Sequence, residues 1–274
     1  MKTLVTHINP HLDDIAAIWL FKKFHPEFKD GEIKFLSAAK DGVTYEGKAV
    51  DSDPEVIHFG IGRGKYDEHK GDVGDCATSL VWKDIKAGGL APKDQLELKA
   101  LDELVEWNTL IDTGKGSAAD ISEFGVPSFI RSLDSKEETS LESVELGSKI
   151  LDRILEGLKR KQQSILDWEK RIEFKTKFGQ TMAVSSQTID RSFCKRMSGD
   201  LFLIYNPKYQ SVQFFTPFNL DLESIYQKVK QQDSDADWYL HQSHHIILCG
   251  SHTAPGSKTT KLTFDQLIDV AKSV

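Results

Sequence analysis

The sequence holds no apolar run approaching the roughly 20 residues that cross a bilayer, no C-x-x-C pair and no excess of positive charge. Its three cysteines, Cys76, Cys194 and Cys249, are odd in number and widely spaced. That argues against a zinc ribbon or a disulfide framework and for reduced thiols in a cytoplasmic protein. A net charge of −7 does not imply a globally basic nucleic-acid surface, although a local basic groove stays open. The opening MKTLVTHINPHLDD turns polar after one short apolar run, unlike a secretory signal. No repeat or low-complexity tract interrupts the 274 residues. With 39% hydrophobic and 28% charged residues, they have the make-up of a folded, water-soluble protein of one large or two ordinary domains.

Strand-sized segments at 3–8, 33–38 and 56–61 alternate with helical patterns that begin near Asp13 and cover 77–87 and 96–110. Around Ile15, Ile18, Trp19, Leu20 and Phe21 the apolar surface is nearly all-round, as in a buried helix. This alternation predicts an α/β fold, with a largely parallel sheet flanked by helices over 1–135. Apolar residues at helical spacing from Leu141 to Leu158 predict a long connecting helix or helix pair over 136–174. A smaller α+β domain is expected over 175–274, with strands at 174–185, 201–205, 212–216 and 246–249 and a last helix at 263–272.

The nine histidines are unevenly placed. His7, His11, His58 and His69 fall at or near predicted strand ends, where open α/β sheets bind ligands. The run His7-x-Asn9-Pro10-His11-x-Asp13-Asp14 gathers imidazoles and carboxylates on one turn. That mixture suits manganese, iron or zinc better than calcium, and the carboxylates gain from a helix N-terminus. Asp13 as an ordinary N-cap is the plainer alternative. Trp19, Trp82 and Trp168 are expected in the core, and Tyr205, Tyr209, Phe214 and Phe215 as packing rather than a base-stacking platform.

These motifs resemble the DHH phosphoesterase superfamily, and within it the Myg-type branch of metal-dependent hydrolases and exonucleases. His7-Ile8-Asn9-Pro10-His11-Leu12-Asp13 resembles the first motif, H-x-N-P-D-x-D. His58 stands at the strand-end Asp of the second, Asp67-Glu68-His69 at the Asp-His-His signature, and Asp112 at the fourth acidic motif. The resemblance spans roughly residues 1–120. It implies one or two divalent ions, manganese above all, that activate a water to attack phosphorus. His7, His11, Asp13, His58, Glu68 and Asp112 would then be ligands. His69 would contact the phosphate or protonate the leaving oxygen, and Asp67 would orient its neighbours. A neutral imidazole cannot bridge two ions as a carboxylate does. His58 therefore predicts one tight ion, or two joined only by hydroxide or another carboxylate such as Asp51.

Near the C-terminus His241, His244, His245 and His252 crowd together, followed by Pro255-Gly256-Ser257-Lys258. Small residues, hydroxyls and lysines can cradle a phosphate, and no Walker loop is present. The superfamily places a Gly-rich substrate-binding segment here, which implies His244, His245, Gly250, Ser251 and Lys258 as substrate contacts. Arg191, Lys195 and Arg196 form a smaller basic cluster. The expected partner is a nucleotide or short single-stranded oligonucleotide, without a membrane, and homo-oligomerisation stays open. The rival readings are a catalytically degenerate module that binds a nucleotide or phospholigand, and a metal hydrolase acting on another bond.

Overall fold

The structure, a computed structural model, describes residues 2–37, 44–70, 74–116, 123, 125–251 and 253–274. Contacts divide the chain into two compact units, Met1–Lys159 and Arg160–Val274. Among the described residues no helix is long and apolar enough to cross a membrane.

The first unit contains β1 (Thr3–His7), α1 (Leu12–Phe24), β2 (Glu32–Leu36), the short hairpin β3 (Thr44–Tyr45) and β4 (Lys48–Ala49), and β5 (Val56–His58). Helices α2 (Ala77–Ala87), α3 (Gln95–Asp112) and α4 (Val126–Ile130) follow, and then α5 (Glu137–Trp168), which runs into the second unit. β1 is the middle strand of a parallel sheet ordered β2-β1-β5, with Leu4 level with Ile33 on one side and Ile57 on the other. Ala38, the expected end of the second strand, lies outside the described residues.

Helix α1 is buried at every residue from Leu12 to Phe21. Each fully buried Ile or Leu there contributes roughly 1.5–3 kcal/mol, so Ile18→Ala would cost about 2–5 kcal/mol. Two neighbouring helices fix where α1 begins. The Thr78 hydroxyl of α2 donates to the Asp13 carbonyl at 2.6 Å, and the Asn108 amide of α3 donates to the Leu12 carbonyl at 3.5 Å. Trp19 and Trp82 are buried, each indole N–H donating to a carboxylate, Asp152 and Asp102 respectively.

The second unit contains β6 (Ile172–Thr176), β7 (Gly179–Ser185), α6 (Arg191–Cys194), β8 (Leu201–Asn206), β9 (Ser211–Phe215), α7 (Glu223–Gln232), β10 (Trp238–Leu240), β11 (Ile246–Cys249) and α8 (Phe264–Lys272). Its six-stranded sheet runs β10-β11-β9-β8-β7-β6, antiparallel except between β7 and β8. The β-rich segment expected at 174–185 is a hairpin turning at Lys177-Phe178, whose first strand begins at Ile172. Both faces of the sheet are covered, so consecutive residues Phe214 and Phe215 belong to two different apolar clusters. Neither ring is available for stacking on a base.

Candidate metal centre

The C-terminal end of β1 passes through Ile8-Asn9-Pro10 into α1, with His11 as its N-cap. Asn9 takes a left-handed backbone (φ 56°), and its N–H donates to the Ser140 hydroxyl. This turn presents three side chains together: ligand atoms of His7, His11 and Asp14 lie within 4.8 Å of one another. His7 Nδ1 faces the Ile8 carbonyl at 2.9 Å, and its Nε2 faces Asp14 Oδ2 at 2.9 Å. A proton held on Nδ1 by that carbonyl leaves Nε2 as the ligating nitrogen. Burial alone would depress the His7 pKa, but the hydrogen bond and charge of Asp14 outweigh it and lift it to about 8. Asp14 Oδ2 also accepts the His11 backbone N–H.

A second group joins buried Asp13 and Cys76 to exposed Asp112. Asp13, 4% exposed, lies with Cys76 and Asp112 so that their ligand atoms are also within 4.8 Å of one another. They come from three helices: the first turn of α1, the N-cap of α2 and the end of α3. Burial, then the charges of Asp14, Asp112 and Glu68, hold the Asp13 carboxyl well above the ordinary range. Burial and the Asp14 charge likewise raise Asp112. Burial, with Asp112 and Asp14, raises Glu68. Among the described residues, no Lys or Arg pairs with Asp13, Glu68 or Asp112.

The signature-like triplet forms a 3-10 turn, Glu68–Lys70. Asp67 is buried and serves the turn itself: Oδ2 accepts the Arg63 N–H at 2.6 Å, while Oδ1 accepts the His69 N–H and faces His69 Nδ1, both at 2.9 Å. The imidazole is otherwise exposed, and that Asp67 hydrogen bond raises its pKa. The ligand atoms of Asp67, Glu68 and His69 form a further group within 4.8 Å of one another, and Asp221, Glu223 and His244 another in the second unit. His58 sits on β5, 2% exposed, and joins none of these groups among the described residues. Its depressed pKa follows from burial, against the nearby charge of Asp51.

The side chains suit a divalent transition ion. Glu68 Oε2 and both ring nitrogens of His58 are buried without a hydrogen-bond partner. Such an orphaned polar atom costs about 1–3 kcal/mol, which coordination would offset. Imidazole, carboxylate and one sulfur form a donor set for zinc, iron or manganese rather than calcium. A cavity of about 250 Å³ adjoins the centre, lined by His11, Asp13, Asn108, Asp112 and Arg131 among others. Asp14, Cys76 and Arg131 were not among the ligands or contacts expected from sequence. Asp14 was legible in the first motif; Cys76 and Arg131 come from elsewhere in the chain and carried no motif signal.

The expected substrate residues of the second unit separate into three places. Gly250 and Ser251 line a cavity of about 440 Å³ with Arg160, Arg191, Asn206 and Tyr209. His244 faces Asp221 at 2.9 Å and His245 faces Asn219 at 3.1 Å. The Lys258 N–H donates to Asp237. His252 lies outside the described residues.

No protein-family model and no curated protein matches the chain. Among solved structures it is similar to the pGpG-specific phosphodiesterase PggH from Vibrio cholerae, with 10% identity, 98% of each chain covered and a TM-score of 0.33. It is also similar to RecJ from Thermus thermophilus in complex with Mg2+, with 8% identity and a TM-score of 0.37. That match covers 99% of this chain and 49% of RecJ, so the chain spans about half of RecJ's length. Likeness this distant carries no weight for family or activity, and the chemistry rests on the residues themselves.

Proposed function

We propose that the chain is a metal-dependent phosphoesterase that hydrolyses phosphoester bonds of nucleotides or short oligonucleotides. The observation that carries this reading is the convergence of Asp13, Asp14, Glu68 and Asp112 with His7 and His11 at the C-terminal edge of a parallel sheet. Burial and neighbouring negative charge, that of Asp14 included, raise the affinity of Asp13, Glu68 and Asp112 for protons, and such a site is suited to a cation. His7, His11 and Asp14 would hold one divalent ion, and Asp13 and Asp112 a second, with Glu68 serving either. Of the two arrangements that His58 leaves open, one tight ion or two joined by hydroxide or another carboxylate, these two donor groups favour two ions. His58 keeps a proposed ligand role through its unpartnered nitrogens.

Bound there, a divalent ion such as manganese supplies a nucleophile from water at neutral pH and stabilises charge on phosphoryl oxygens. The chain's own residues do the rest. Asp67 holds His69 by Nδ1, so the proton available to a leaving oxygen is the one on Nε2. Arg131, on the wall of the cavity beside Asp13 and Asp112, is placed to grip a phosphate with its planar fork of donors. In the second unit, Gly250 and Ser251 with Arg160 and Arg191 are proposed as an anion-binding cavity, with His244, His245 and Lys258 as further candidate substrate contacts. His58, outside both donor groups where the resembled motif has a carboxylate, favours the second reading, a module that binds a nucleotide without turnover.

The test is hydrolysis of short single-stranded RNA and DNA by metal-stripped protein resupplied with manganese. Mononucleotide release that needs the metal and falls about 10²–10⁴-fold in His69→Ala is expected. Nucleotide binding without cleavage in every divalent ion tried would establish the second reading instead.

A further inference from the structure

We propose that the Cys76 thiol is itself a metal ligand and, with Asp13 and Asp112, makes the inner position of the centre selective for zinc or ferrous iron over manganese and magnesium. This inference rests on the metal-centre reading above and specifies which ion that centre takes.

Three separate elements deliver these donors to one point. The sulfur and a carboxylate oxygen of each Asp lie within 4.8 Å of one another, and Cys76 is 0% exposed. The position is the N-cap of an eleven-residue helix, where Ser, Thr, Asp and Asn serve best because an oxygen accepts the orphan N–H groups. Capping alone would favour an oxygen here. The Ser79 hydroxyl already accepts the Cys76 N–H at 3.0 Å, completing the other half of the cap. The Cys76 sulfur is 3.4 Å from the Thr109 hydroxyl, whose own proton is given to the Val105 carbonyl at 2.8 Å. With the Thr109 proton so committed, the sulfur receives no hydroxyl proton from it, and the thiol's own proton points to Thr109 Oγ1 or to Asn108 Oδ1, 4.0 Å away.

The two carboxylates of this group, Asp13 and Asp112, line the cavity of about 250 Å³. Cys194 and Cys249 are just as buried, yet neither joins a group of metal-ligating side chains among the described residues. Carboxylate and imidazole alone suit manganese, whereas one thiolate moves the preference to thiophilic ions. Ligation forms a metal–sulfur bond and breaks the S–H bond, the proton leaving to solvent.

The experiment loads the full metal-stripped chain with cobalt(II) and records the near-ultraviolet thiolate-to-cobalt charge-transfer band, then measures zinc and manganese affinities. The band should be present in the wild type and in the Cys194→Ser/Cys249→Ser variant, and absent in Cys76→Ser. Zinc affinity should fall about tenfold or more in Cys76→Ser, with manganese affinity within about twofold of wild type. Serine is a good N-cap, so the variant should stay folded; Cys76→Ala checks that the loss is of sulfur. Cobalt bound without the band, or a band that survives in Cys76→Ser, overturns the sulfur ligand and leaves the metal centre standing. A chain that binds none of the three ions overturns both.

Discussion

A Cβ placed on Gly60 would lie 1.7 Å from Oδ1 of Asp14, so this carboxylate owes its position to a residue with no side chain. Gly60 also has a left-handed backbone, φ +59°, which costs other residues about 1–2 kcal/mol. Gly60→Ala should therefore lower the melting temperature and weaken metal binding by about tenfold or more. Asp14→Asn should weaken metal binding without the backbone strain. Thermal melts beside metal titrations separate the two. Unchanged affinity in Gly60→Ala would show that Asp14 is not held there for an ion.

Sequence patterning revealed what depends on local periodicity. The turn from His7 to Asp14 stands out because an apolar strand, Asn9-Pro10 and a helix apolar nearly all round from Ile15 to Phe21 follow one another directly. Helix α2 matched its expected bounds, 77–87, and 136–174 proved to contain one unbroken helix. Helix α7 escaped notice because it buries only Ile225 and Val229 along an otherwise polar stretch. Phe214 and Phe215 hid the strand alternation because both sheet faces are covered. Cys76 meets Asp13 and Asp112 only through packing of α1, α2 and α3. Arg131 reaches the cavity from the end of a five-residue helix whose sequence has no periodic signal. Such juxtapositions are properties of packing, which one chain's spacing does not encode.

The pH dependence follows from His7. Its pKa, lifted to about 8, means that an ion must displace a proton from Nε2 below that pH. Metal affinity should therefore climb as pH rises towards 8 and then level. The metal-free chain behaves oppositely. A histidine raised from 6.5 to about 8 contributes stability that is full below 6.5 and lost as pH rises through 8. The raised carboxyls of Asp13, Glu68 and Asp112 have the same sign, losing their contribution as pH climbs above the ordinary carboxylate range. The gap in melting temperature between metal-loaded and stripped protein should widen from about pH 6 to 8 and then hold. A constant or narrowing gap would contradict the assignment of these groups as ligands.

Arg131 offers a way to separate substrate binding from metal binding. Arg131→Gln removes a charge-assisted hydrogen bond worth about 1.5–3 kcal/mol, so kcat/KM should fall about tenfold or more, mostly through KM. Metal affinity should hold or rise slightly, because the positive charge of Arg131 reaches His7. Lost metal binding in this variant would make Arg131 a support of the centre rather than a substrate contact.

Metal stoichiometry tests the account most directly. Equilibrium dialysis of stripped protein should return two bound divalent ions per chain, with Asp14→Asn removing the ion held by His7 and His11 and Asp13→Asn removing the ion held with Asp112. No retained ion, or a metal content unchanged by either substitution, would contradict the assignment of these two side-chain groups as a metal centre.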